Sequence, residues 1–454
     1  MSPRRYSVRG AFINKFWQKT RLCRILSSMD SILHTVKTFL PRTIINKIRP
    51  LYHYGLAFLG SVVYRHPSRH ITVIAVTGTK GKSTVTELIA HILEADGKTV
   101  ASLSTIQFKV AGVVTRNLFK MTMPGRFFVQ KFLREAVDAG CTHAVIEMTS
   151  EGAKQYRHKF IDLDALVFTN LTPEHIESHG SFEKYKACKL ELARAVATSL
   201  KRPRFLVANT DDEHGADFLD FPVENILPYA LQNLSLYTLH KDSLSLIISG
   251  TTIRVPLVGL FNVYNTLAAI TLTQALGVTL KTIEGALYEL PPVKGRVEHF
   301  YSPKESAKQV TAIVDYAHTP DSLRQLYTAF KDQPKVCILG NTGGGRDTWK
   351  RPTMGAIAEE FCDYVILTNE DPYDENPRAI VDAMAKGITD KSKLEIIMDR
   401  RTAIKTALEK AVDGGYVIIS GKGTDPYIMG PNNTKVVWSD AAVVQEELLL
   451  LSKG

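Results

Sequence analysis

From about residue 71 onward, short apolar segments rich in Val and Ile alternate with longer segments whose apolar residues recur at helical spacing. This alternation is typical of a parallel α/β sheet, whose strands are buried on both faces and covered by helices. A helical pattern over 85–94 follows the first apolar segment. The apolar segments predict eight strands, at 71–76, 143–148, 165–169, 205–208, 311–314, 336–339, 364–367 and 416–419.

Nearly every predicted strand runs directly into polar or glycine-rich residues. In open α/β sheets, ligands bind beyond the carboxyl ends of the strands, so we expect these segments to face one or two shared clefts. The segments read GTKGKS, TSEG, NLTPEH, NTDD, DYAHTPD, GNTGGGRD, NEDP and SGKG.

The segment PPVKG at 291–295 interrupts the alternation, and a chain of 454 residues exceeds the usual size of one domain. We therefore predict a basic helical N-terminal arm over 1–66, a central domain over 67–295 and a C-terminal domain over 296–454.

The first fifty residues carry the excess positive charge of the chain. They hold eleven Lys or Arg residues against the single acid Asp30, and the formal net charge of the whole chain is +10. Because apolar residues such as Phe12 and Phe16 are interleaved at helical spacing, the arm suits an amphipathic helix at an anionic membrane surface. A helix packed on the main body, with its basic face in water, explains the pattern equally well. Nucleic-acid binding is not expected, because the rest of the chain offers no basic stripe or known motif.

The sequence shows no pattern typical of secretion. The N-terminus lacks a continuous apolar core with a cleavage site, and the apolar run at 51–64 is too short for a confident membrane span. The odd number of cysteines, without CxxC spacing, favours a reducing environment, so we expect a cytoplasmic protein. The cysteines are Cys23, Cys141, Cys188, Cys337 and Cys362.

The segment between the first strand and the helical pattern has the composition of a phosphate-binding loop. Its glycines let the backbone curl around phosphates, Lys82 can reach the terminal phosphates, and Ser83 can ligate Mg²⁺. The strict pattern GxxxxGK[ST] fails at its first position, which is Val76. We still expect a nucleoside triphosphate site, because strand, loop and helix agree. The loop residues are Gly78, Thr79, Lys80, Gly81, Lys82, Ser83 and Thr84.

The form GTKGKS resembles the loop of the Mur ligase family, and further motifs of that family follow in order. They are VIEMTS, TNLTPEH, YKACK, NTDD, GLFNVYN, GRVE, DYAHTPDSL and GGGRDTWKRPTMG. The chain is most similar to the UDP-N-acetylmuramoyl-tripeptide synthetases, from about residue 71 onward. The resemblance implies a P-loop-type central ATPase domain with a parallel-rich sheet and a C-terminal Rossmann-like α/β domain. It also implies an ATP-dependent, ADP-forming ligase that adds an amino acid to a UDP-muramoyl-peptide-like acceptor through an acyl phosphate.

The same resemblance implies the site residues. Lys82, Glu147, His175 and Lys189 are expected to be catalytic. Ser83 and Glu147 would hold one Mg²⁺, and His175 with a carbamylated Lys189 would hold another. The nucleotide would further meet Asn265, Arg296, Asp315, His318 and Arg346. The substrates would meet Asp211, Asp212, Asp371, Pro372, Tyr373, Gly421, Lys422 and Asp425.

Two departures from the family pattern concern the incoming amino acid. Relatives that add meso-diaminopimelate typically carry D-N-P-R, whereas this chain has Tyr373 in place of the arginine. The motif G-K-G-H-E here ends in Thr424 and Asp425. We therefore expect a diamino acid without a second carboxylate, or a neutral amino acid, unless Arg378 or Arg400 replaces the missing guanidinium.

A third departure concerns the acceptor. Only about seventy residues precede the loop strand, fewer than the family's UDP-binding domain of about a hundred residues needs. We expect that UDP is held differently or that the acceptor is not the usual soluble nucleotide. Two alternatives stay open: a ligase acting on another carboxylate, such as a folylpolyglutamate-type enzyme, and a membrane-anchored ATP-binding scaffold.

Overall fold

The structure is a computed structural model that describes residues 42–174, 176–345 and 347–451. The chain divides into two compact units, Met1–Leu56 and Ala57–Gly454. The predicted boundary near residue 295 falls within the second unit, and the division into central and C-terminal domains stays a prediction.

The first described element is helix α1, Arg42–Val63. It runs without interruption through the apolar segment at 51–64 and both of its glycines. Over the described ranges, every helix is either too short or too polar to cross a membrane. A 3₁₀ turn at Pro67–His70 leads into the first strand.

An eight-stranded sheet follows, in the order β4-β3-β2-β5-β1-β6-β7-β8. β1 lies at its centre and pairs in parallel with β5 and β6, while β3 and β4 form an antiparallel edge. The strands are β1 Thr72–Thr77, β2 Val100–Leu103, β3 Gln107–Val110, β4 Val113–Arg116, β5 His143–Glu147, β6 Ala165–Phe168, β7 Phe205–Asn209 and β8 Asn225–Tyr229. The helices are α2 Lys82–Ala95, α3 Arg126–Asp138, α4 Ser150–Lys154, α5 Ile176–His179, α6 Phe182–Ala197 and α7 Gly215–Leu219.

β1 is buried because helices cover both faces of the sheet. Ile74 and Val76 pack in one hydrophobic core with α2, and Val73 and Ala75 pack in a second core with α3. Successive residues of a strand point to opposite faces, so a strand between two cores must be apolar throughout. This packing fixes the carboxyl end of β1, where the glycine-rich loop begins.

A small antiparallel sheet and two helices follow. Its strand order is β11-β10-β9. The elements are β9 Leu236–Leu239, β10 Leu244–Ile248, β11 Thr251–Val255, α8 Leu260–Ala275 and α9 Leu280–Tyr288.

The rest of unit Ala57–Gly454 contains a six-stranded sheet in the order β12-β13-β17-β14-β15-β16. All pairs except β12 with β13 are parallel. Its strands are β12 Glu298–Tyr301, β13 Thr311–Val314, β14 Lys335–Leu339, β15 Tyr364–Leu367, β16 Leu394–Ile396 and β17 Tyr416–Ile419, followed by a hairpin of β18 Tyr427–Met429 and β19 Lys435–Val437. The helices are α10 Pro320–Ala329, α11 Lys350–Phe361, α12 Pro377–Ala385, α13 Arg400–Lys410 and α14 Asp440–Leu451.

All eight strands predicted from the apolar segments are confirmed, with each boundary within one residue of the predicted position. The helix predicted over 85–94 is also confirmed and begins earlier, at Lys82.

The cysteines differ from the expectation. Cys337 in β14 and Cys362 before β15 are joined by a disulfide, whereas Cys141 and Cys188 are free. Their spacing along the chain did not indicate this pair, because it arises from the parallel pairing of β14 with β15. Cys23 lies outside the described residues.

Candidate active site

The turn between β1 and α2 forms the candidate phosphate loop. Gly78 has a φ of +146° and Gly81 a φ of +81°, values that glycine adopts without strain. A Cβ atom at Gly81 would also lie 2.2 Å from Oδ1 of Asn265, which approaches from α8. The backbone N–H of Thr79 donates to the carbonyl of Asn170 at 2.8 Å, which ties the loop to the end of β6. The result is a tight turn that opens a helix, the geometry in which proteins bind anions.

Lys82 begins α2 and turns back over this loop. Its ammonium donates to the carbonyl of Thr79 at 2.8 Å. The positive charge therefore lies over the turn, where the terminal phosphates of a nucleoside triphosphate would be met.

A hydroxyl and a carboxylate meet beside the loop. Oγ of Ser83 donates to Oε2 of Glu147 at 2.9 Å, and both residues are buried. Glu147 ends β5, which neighbours β1 in the sheet. The N–H and hydroxyl of Thr105 also donate to Oε2, at 2.7 and 3.0 Å. This places an oxygen-rich pair at the N-terminus of α2.

Lys189 lies behind the loop on α6 and is fully buried. Its ammonium donates to the carbonyl of Gly78 and lies 4.9 Å from the ring centroid of Tyr185. Burial lowers the pKa of Lys189 well below its usual value, and the positive charge of Lys82 lowers it further. Near neutral pH this amine is therefore more often neutral than an exposed lysine, and a neutral amine is the form that reacts with CO₂.

Arg296 and Asp315 reach the loop from the region of the six-stranded sheet. Nη2 of Arg296 donates to Oγ of Ser83 at 3.3 Å, and its guanidinium stacks 4.5 Å from the ring centroid of Tyr316. Burial raises the pKa of the Asp315 carboxyl group, although Arg296 opposes this shift. The N–H of Val297 donates to Oδ2 of Asp315 at 2.8 Å, which holds the chain beside Arg296 in place.

Two further side-chain contacts join the same parts of the structure. Nε2 of His318 lies 3.5 Å from Oε1 of Glu174, which follows β6. Lys80 in the loop pairs with Asp321 in the first turn of α10. The carboxyl ends of the two large sheets therefore face each other across the loop.

These groups line one cavity of about 1140 Å³. A cavity of this size exceeds what one small ligand needs, so it has room for a nucleotide and a further substrate. Gly78 and Lys189 lie behind its wall. The predicted site residues in the wall are Thr79, Lys80, Gly81, Lys82, Ser83, Thr84, Glu147, Asp211, Asp212, Asn265, Arg296, Asp315, His318 and Asp425.

Two of the aspartates predicted to meet substrate also anchor backbone turns. Oδ2 of Asp211 accepts from the N–H of Leu231 at 2.8 Å and from the hydroxyl of Tyr264 at 3.0 Å. Oδ2 of Asp212 accepts from the N–H of Leu171 at 2.9 Å. The structure thus gives both a structural role, and their contact with substrate stays a prediction.

The predicted substrate residues beyond β15 and β17 form a charge cluster. Lys422 lies 3.0 Å from Oδ1 of Asp371, which also accepts from the N–H of Met429 at 2.8 Å. Lys120 lies 2.5 Å from Oδ2 of Asp371 and 3.0 Å from Oδ2 of Asp425. Burial opposes ionisation of Asp371, but Lys422 and Lys120 outweigh it and lower the pKa of this carboxyl group.

The remaining residues of these two segments lie side by side. Pro372 is buried, and the N–H of Tyr373 donates to the carbonyl of Met429 at 3.1 Å. Gly421 has a φ of +107°, and a Cβ atom there would lie 2.2 Å from Oε2 of Glu370. The close approach of the two segments therefore requires glycine at this position.

The two arginines considered as replacements for the missing guanidinium are engaged elsewhere. Arg400 is buried and pairs with Asp440, with Nη2 at 2.7 Å from Oδ2. Arg378 pairs with Asp382 at 2.9 Å on the exposed surface of α12. Arg400 could bind substrate only by leaving a buried carboxylate unpaired, which disfavours it as the replacement.

Two predicted site residues, His175 and Arg346, lie outside the described residues. Two contributors were missed by sequence reasoning, namely Thr105 and Lys120, and Asp321 lies within the motif DYAHTPDSL but was given no role of its own. Thr105 and Lys120 come from loops without a motif and reach the site through strand pairing or across the cavity.

The Ser83–Glu147 pair fits a magnesium ion. Mg²⁺ usually keeps several waters and takes one or two protein oxygens together with substrate phosphates. The pair supplies hard oxygen atoms beside a loop shaped for phosphate. Within residues 42–174, 176–345 and 347–451, no group of three or more His, Cys, Asp or Glu side chains is arranged to hold a metal.

Two family models match the chain. The Mur ligase middle domain matches residues 76–273, and the Mur ligase glutamate ligase domain matches residues 295–423. The UDP-N-acetylmuramyl-tripeptide synthetase of Roseiflexus sp. (strain RS-1) is 34% identical over 437 residues, which cover 89% of this chain and 84% of the relative. The UDP-N-acetylmuramoyl-L-alanyl-D-glutamate--2,6-diaminopimelate ligase of Thermosynechococcus vestitus is 36% identical over 384 residues, which cover 81% and 75%.

Solved structures show the same likeness. A structure of a UDP-N-acetylmuramoyl-L-alanyl-D-glutamate--2,6-diaminopimelate ligase superposes with a TM-score of 0.57 at 29% identity, covering 83% of this chain and 78% of the other. A Mycobacterium tuberculosis folylpolyglutamate synthase reaches a TM-score of 0.63 at 16% identity, covering 88% and 97%, and shares the fold. With a phosphate loop, an adjoining hydroxyl–carboxylate pair and two facing sheets in one cavity, the chain belongs to the Mur ligase family of ATP-dependent, ADP-forming amide ligases.

Proposed function

We propose that this ligase adds an amino acid to a UDP-muramoyl-peptide-like acceptor through an acyl-phosphate intermediate. The observation that carries the proposal is the shared cavity, in which Lys82 and the Ser83–Glu147 pair meet Arg296 from the facing sheet. The names of the relatives support this choice of acceptor.

Activation of the carboxylate comes first, because a carboxylate at neutral pH is a poor electrophile. A carboxylate oxygen of the acceptor forms a bond to the γ-phosphorus of ATP, the bond from that phosphorus to the bridging oxygen breaks, and ADP leaves. Lys82, Arg296 and the N–H groups of the loop stabilise the negative charge on the phosphoryl group during transfer.

The amide bond forms in the second step. The amine nitrogen of the incoming amino acid attacks the acyl carbon, the bond from carbon to the phosphate oxygen breaks, and inorganic phosphate leaves as the amine loses a proton. Water would hydrolyse the acyl phosphate, so the cavity must be closed during this step. The contacts of Arg296 with Ser83, Lys80 with Asp321 and His318 with Glu174 join the two sides of the cavity and support such a closure.

Ser83 and Glu147 would hold a Mg²⁺ ion, which supplies Lewis-acid stabilisation of phosphate charge. We further propose that Lys189 is carbamylated and that, together with His175, it serves a second Mg²⁺. Carbamylation joins Nζ to the carbon of CO₂ with loss of a proton, which replaces a buried cation by an oxygen ligand. The burial of Lys189 and its lowered pKa support this modification.

We place the enzyme in the bacterial cytoplasm, with its basic arm in contact with the anionic inner surface of the membrane. The basic residues of 1–50 support this contact, as do the exposed apolar side chains of Phe58, Leu59 and Val62 on α1. Sedimentation with vesicles tests it: we expect binding to phosphatidylglycerol vesicles and not to phosphatidylcholine vesicles, and equal binding to both would contradict the proposal.

The incoming amino acid is proposed to be a diamino acid without a second carboxylate, or a neutral amino acid. Tyr373 provides no guanidinium for a distal carboxylate, and Arg400 is committed to Asp440. The direct contact that relatives with an arginine could offer is therefore missing at this position.

Phosphate release from the purified protein tests the function. Each reaction contains ATP, Mg²⁺, one amino acid from a panel, and one acceptor. The acceptor is either a UDP-muramoyl dipeptide or a folate. We expect ADP and phosphate to appear only when the muramoyl acceptor and an amino acid are both present. Turnover with folate would support the folylpolyglutamate-type alternative, and ATP binding without turnover on any pair would support a scaffold.

A further inference from the structure

Lys120 takes part in a largely buried charge cluster that no sequence motif indicated. Its ammonium contacts Oδ2 of Asp371 at 2.5 Å and Oδ2 of Asp425 at 3.0 Å, and Lys422 contacts the other oxygen of Asp371 at 3.0 Å. The exposed fractions of the four side chains range from 1% to 17%. Two lysines thus neutralise two aspartates where little water screens their charges.

The cluster joins the two large sheets at the cavity wall. Lys120 lies between β4 and α3, whereas Asp371 follows β15 and Asp425 follows β17. Lys120 and Asp425 line the cavity together with Glu147 and Arg296. Asp371 and Lys422 are buried beside them and do not line the cavity. The charges of Lys120 and Asp425 are therefore the ones presented to whatever lies in the cavity.

The backbone at Lys120 is held in an unusual conformation. Its φ is +50°, in the left-handed region that residues with a side chain rarely adopt. A conformation of this kind persists where surrounding contacts determine it. Here the contacts with Asp371 and Asp425 fix the ammonium at one place.

We propose that Lys120 determines the charge of the amino acid that this ligase accepts, selecting a neutral side chain over the cationic side chain of lysine or ornithine. The inference rests on the proposed function and on the expectation, drawn from the family resemblance, that Asp371 and Asp425 meet the incoming amino acid. The absence of an arginine at position 373 leaves two classes of amino acid open, and Lys120 decides between them.

The physical reason is that both carboxylates are already paired. A cationic side chain entering the cavity would meet Lys120, with Lys422 buried behind Asp371, and like charges at short range in a partly dry site repel strongly. Removing the charge of Lys120 leaves the cluster with one net negative charge. A cationic side chain would then be attracted to the place that the Lys120 ammonium now fills.

The test compares kcat/KM for alanine, lysine and ornithine in the full-length enzyme and three variants. We expect the wild-type enzyme to prefer alanine, and Lys120→Met to raise the lysine-to-alanine ratio of kcat/KM by about tenfold or more. Lys120→Arg keeps the positive charge and should keep the wild-type ratio. Lys405→Met, which removes an exposed lysine 3.9 Å from Glu409 on α13, is the matched control and should also keep it.

The ratio of kcat/KM values separates selectivity from a general loss of activity, because a damaged fold lowers both values. An unchanged ratio in an active Lys120→Met variant, or a wild-type preference for lysine, would overturn the inference about Lys120 and leave the proposed function standing. If Lys120→Met does not fold, Asp425→Asn is measured in its place. This variant should lower the lysine-to-alanine ratio of kcat/KM below the wild-type value. An unchanged ratio in Asp425→Asn would also overturn the inference. Wild-type enzyme that releases no phosphate with any amino acid overturns the proposed function as well.

Discussion

Lys82, at the start of α2, supplies a positive charge at the candidate phosphate loop. Its ammonium is held over the turn by the carbonyl of Thr79 and lies in the cavity wall, not in a core. The charge is therefore expected to contribute more to ligand binding and catalysis than to the stability of the fold. Measurements of activity and of melting temperature distinguish the two contributions.

Lys82→Ala should lower ATP-dependent phosphate release by at least about a hundredfold, because it removes a cation from the phosphoryl group in transfer. The melting temperature should change little. Lys98→Ala, a lysine paired with Asp96 beyond the other end of α2, is the control and should keep full activity. Turnover retained in Lys82→Ala would remove the central claim of the mechanism.

Lys189 offers a second test at the same scale, because its proposed role depends on a covalent modification. Lys189→Ala should lower the rate at least about a hundredfold, and short carboxylates such as acetate should partly restore it by occupying the vacated space. Lys189→Met fills that space and should show no rescue. Full activity in Lys189→Ala would rule the role out.

The residues that could be predicted from the sequence are those whose neighbours along the chain carry the motif. Ser83 was predicted because it belongs to the glycine-rich loop between β1 and α2, and Glu147 because it belongs to VIEMTS, a segment that resembles the family pattern. Thr105 was missed because its contact with Glu147 depends on the pairing of β2 with β5. Lys120 was missed because its partners, Asp371 and Asp425, lie far along the chain, the nearer of them 251 residues away.

At the scale of elements, the join between β1 and α2 depends on glycines for two separate reasons. Gly81 needs its positive φ, and it also lies against Asn265 on α8. Gly97, just beyond the other end of α2, has a φ of +78° with no heavy atom near the position of a Cβ. Both glycines therefore need a positive φ, but only Gly81 lies against another side chain, that of Asn265.

Gly81→Ala should abolish most ligase activity and lower stability by more than Gly97→Ala does. Both substitutions place a side chain at a positive φ, which costs on the order of 1 kcal/mol. Only the first also forces Asn265 and the loop apart. Denaturation curves and phosphate release for both variants measure the difference, and equal effects would show that the contact with Asn265 has no importance.

Strand prediction succeeded at most of the buried strands and failed at exposed edge strands, and it also missed β2, although all four residues of β2 are buried. All residues of β5 but the first and all of β6 are buried, so their apolar pattern is continuous. Every residue of β4 and β9 is exposed, and neither strand carries the signature of a buried strand. The small antiparallel sheet was also missed; in its central strand β10 only Leu244 and Leu246 are buried, so the strand lacks a continuous buried segment.

At the scale of the whole molecule, a buried ion pair ties the start of α13 to the start of α14. Arg400 and Asp440 form two contacts of 2.7 Å, and Nε1 of Trp438 donates to the same carboxylate at 2.7 Å. Burial opposes ionisation of Asp440, but Arg400 outweighs it and lowers the pKa of this carboxyl group.

Asp440→Asn should lower the free energy of unfolding by roughly 3–5 kcal/mol at neutral pH, because it leaves Arg400 buried without its counter-charge. The folded-state pKa of Asp440 is lowered, so its contribution is fully present above the unfolded value of about 3.9 and is lost as the pH falls through the folded-state value. Unfolding in urea at pH 7 and at successively lower pH measures this. A difference between wild type and variant that stays constant to the lowest pH would contradict the assignment, and Glu409→Gln serves as an exposed control.

β17 is the last strand of the six-stranded sheet along the chain, yet it lies between β13 and β14 near the middle of that sheet. While the ribosome is still making residues 340–415, β13 and β14 lack the partner that separates and joins them, and the sheet cannot close. This part of the enzyme therefore folds after synthesis has passed Tyr416–Ile419, and until then its apolar strands are open to chaperones and proteases. A chain ended by a nonsense codon before that point would be degraded in the cell, although it would already contain the entire phosphate loop.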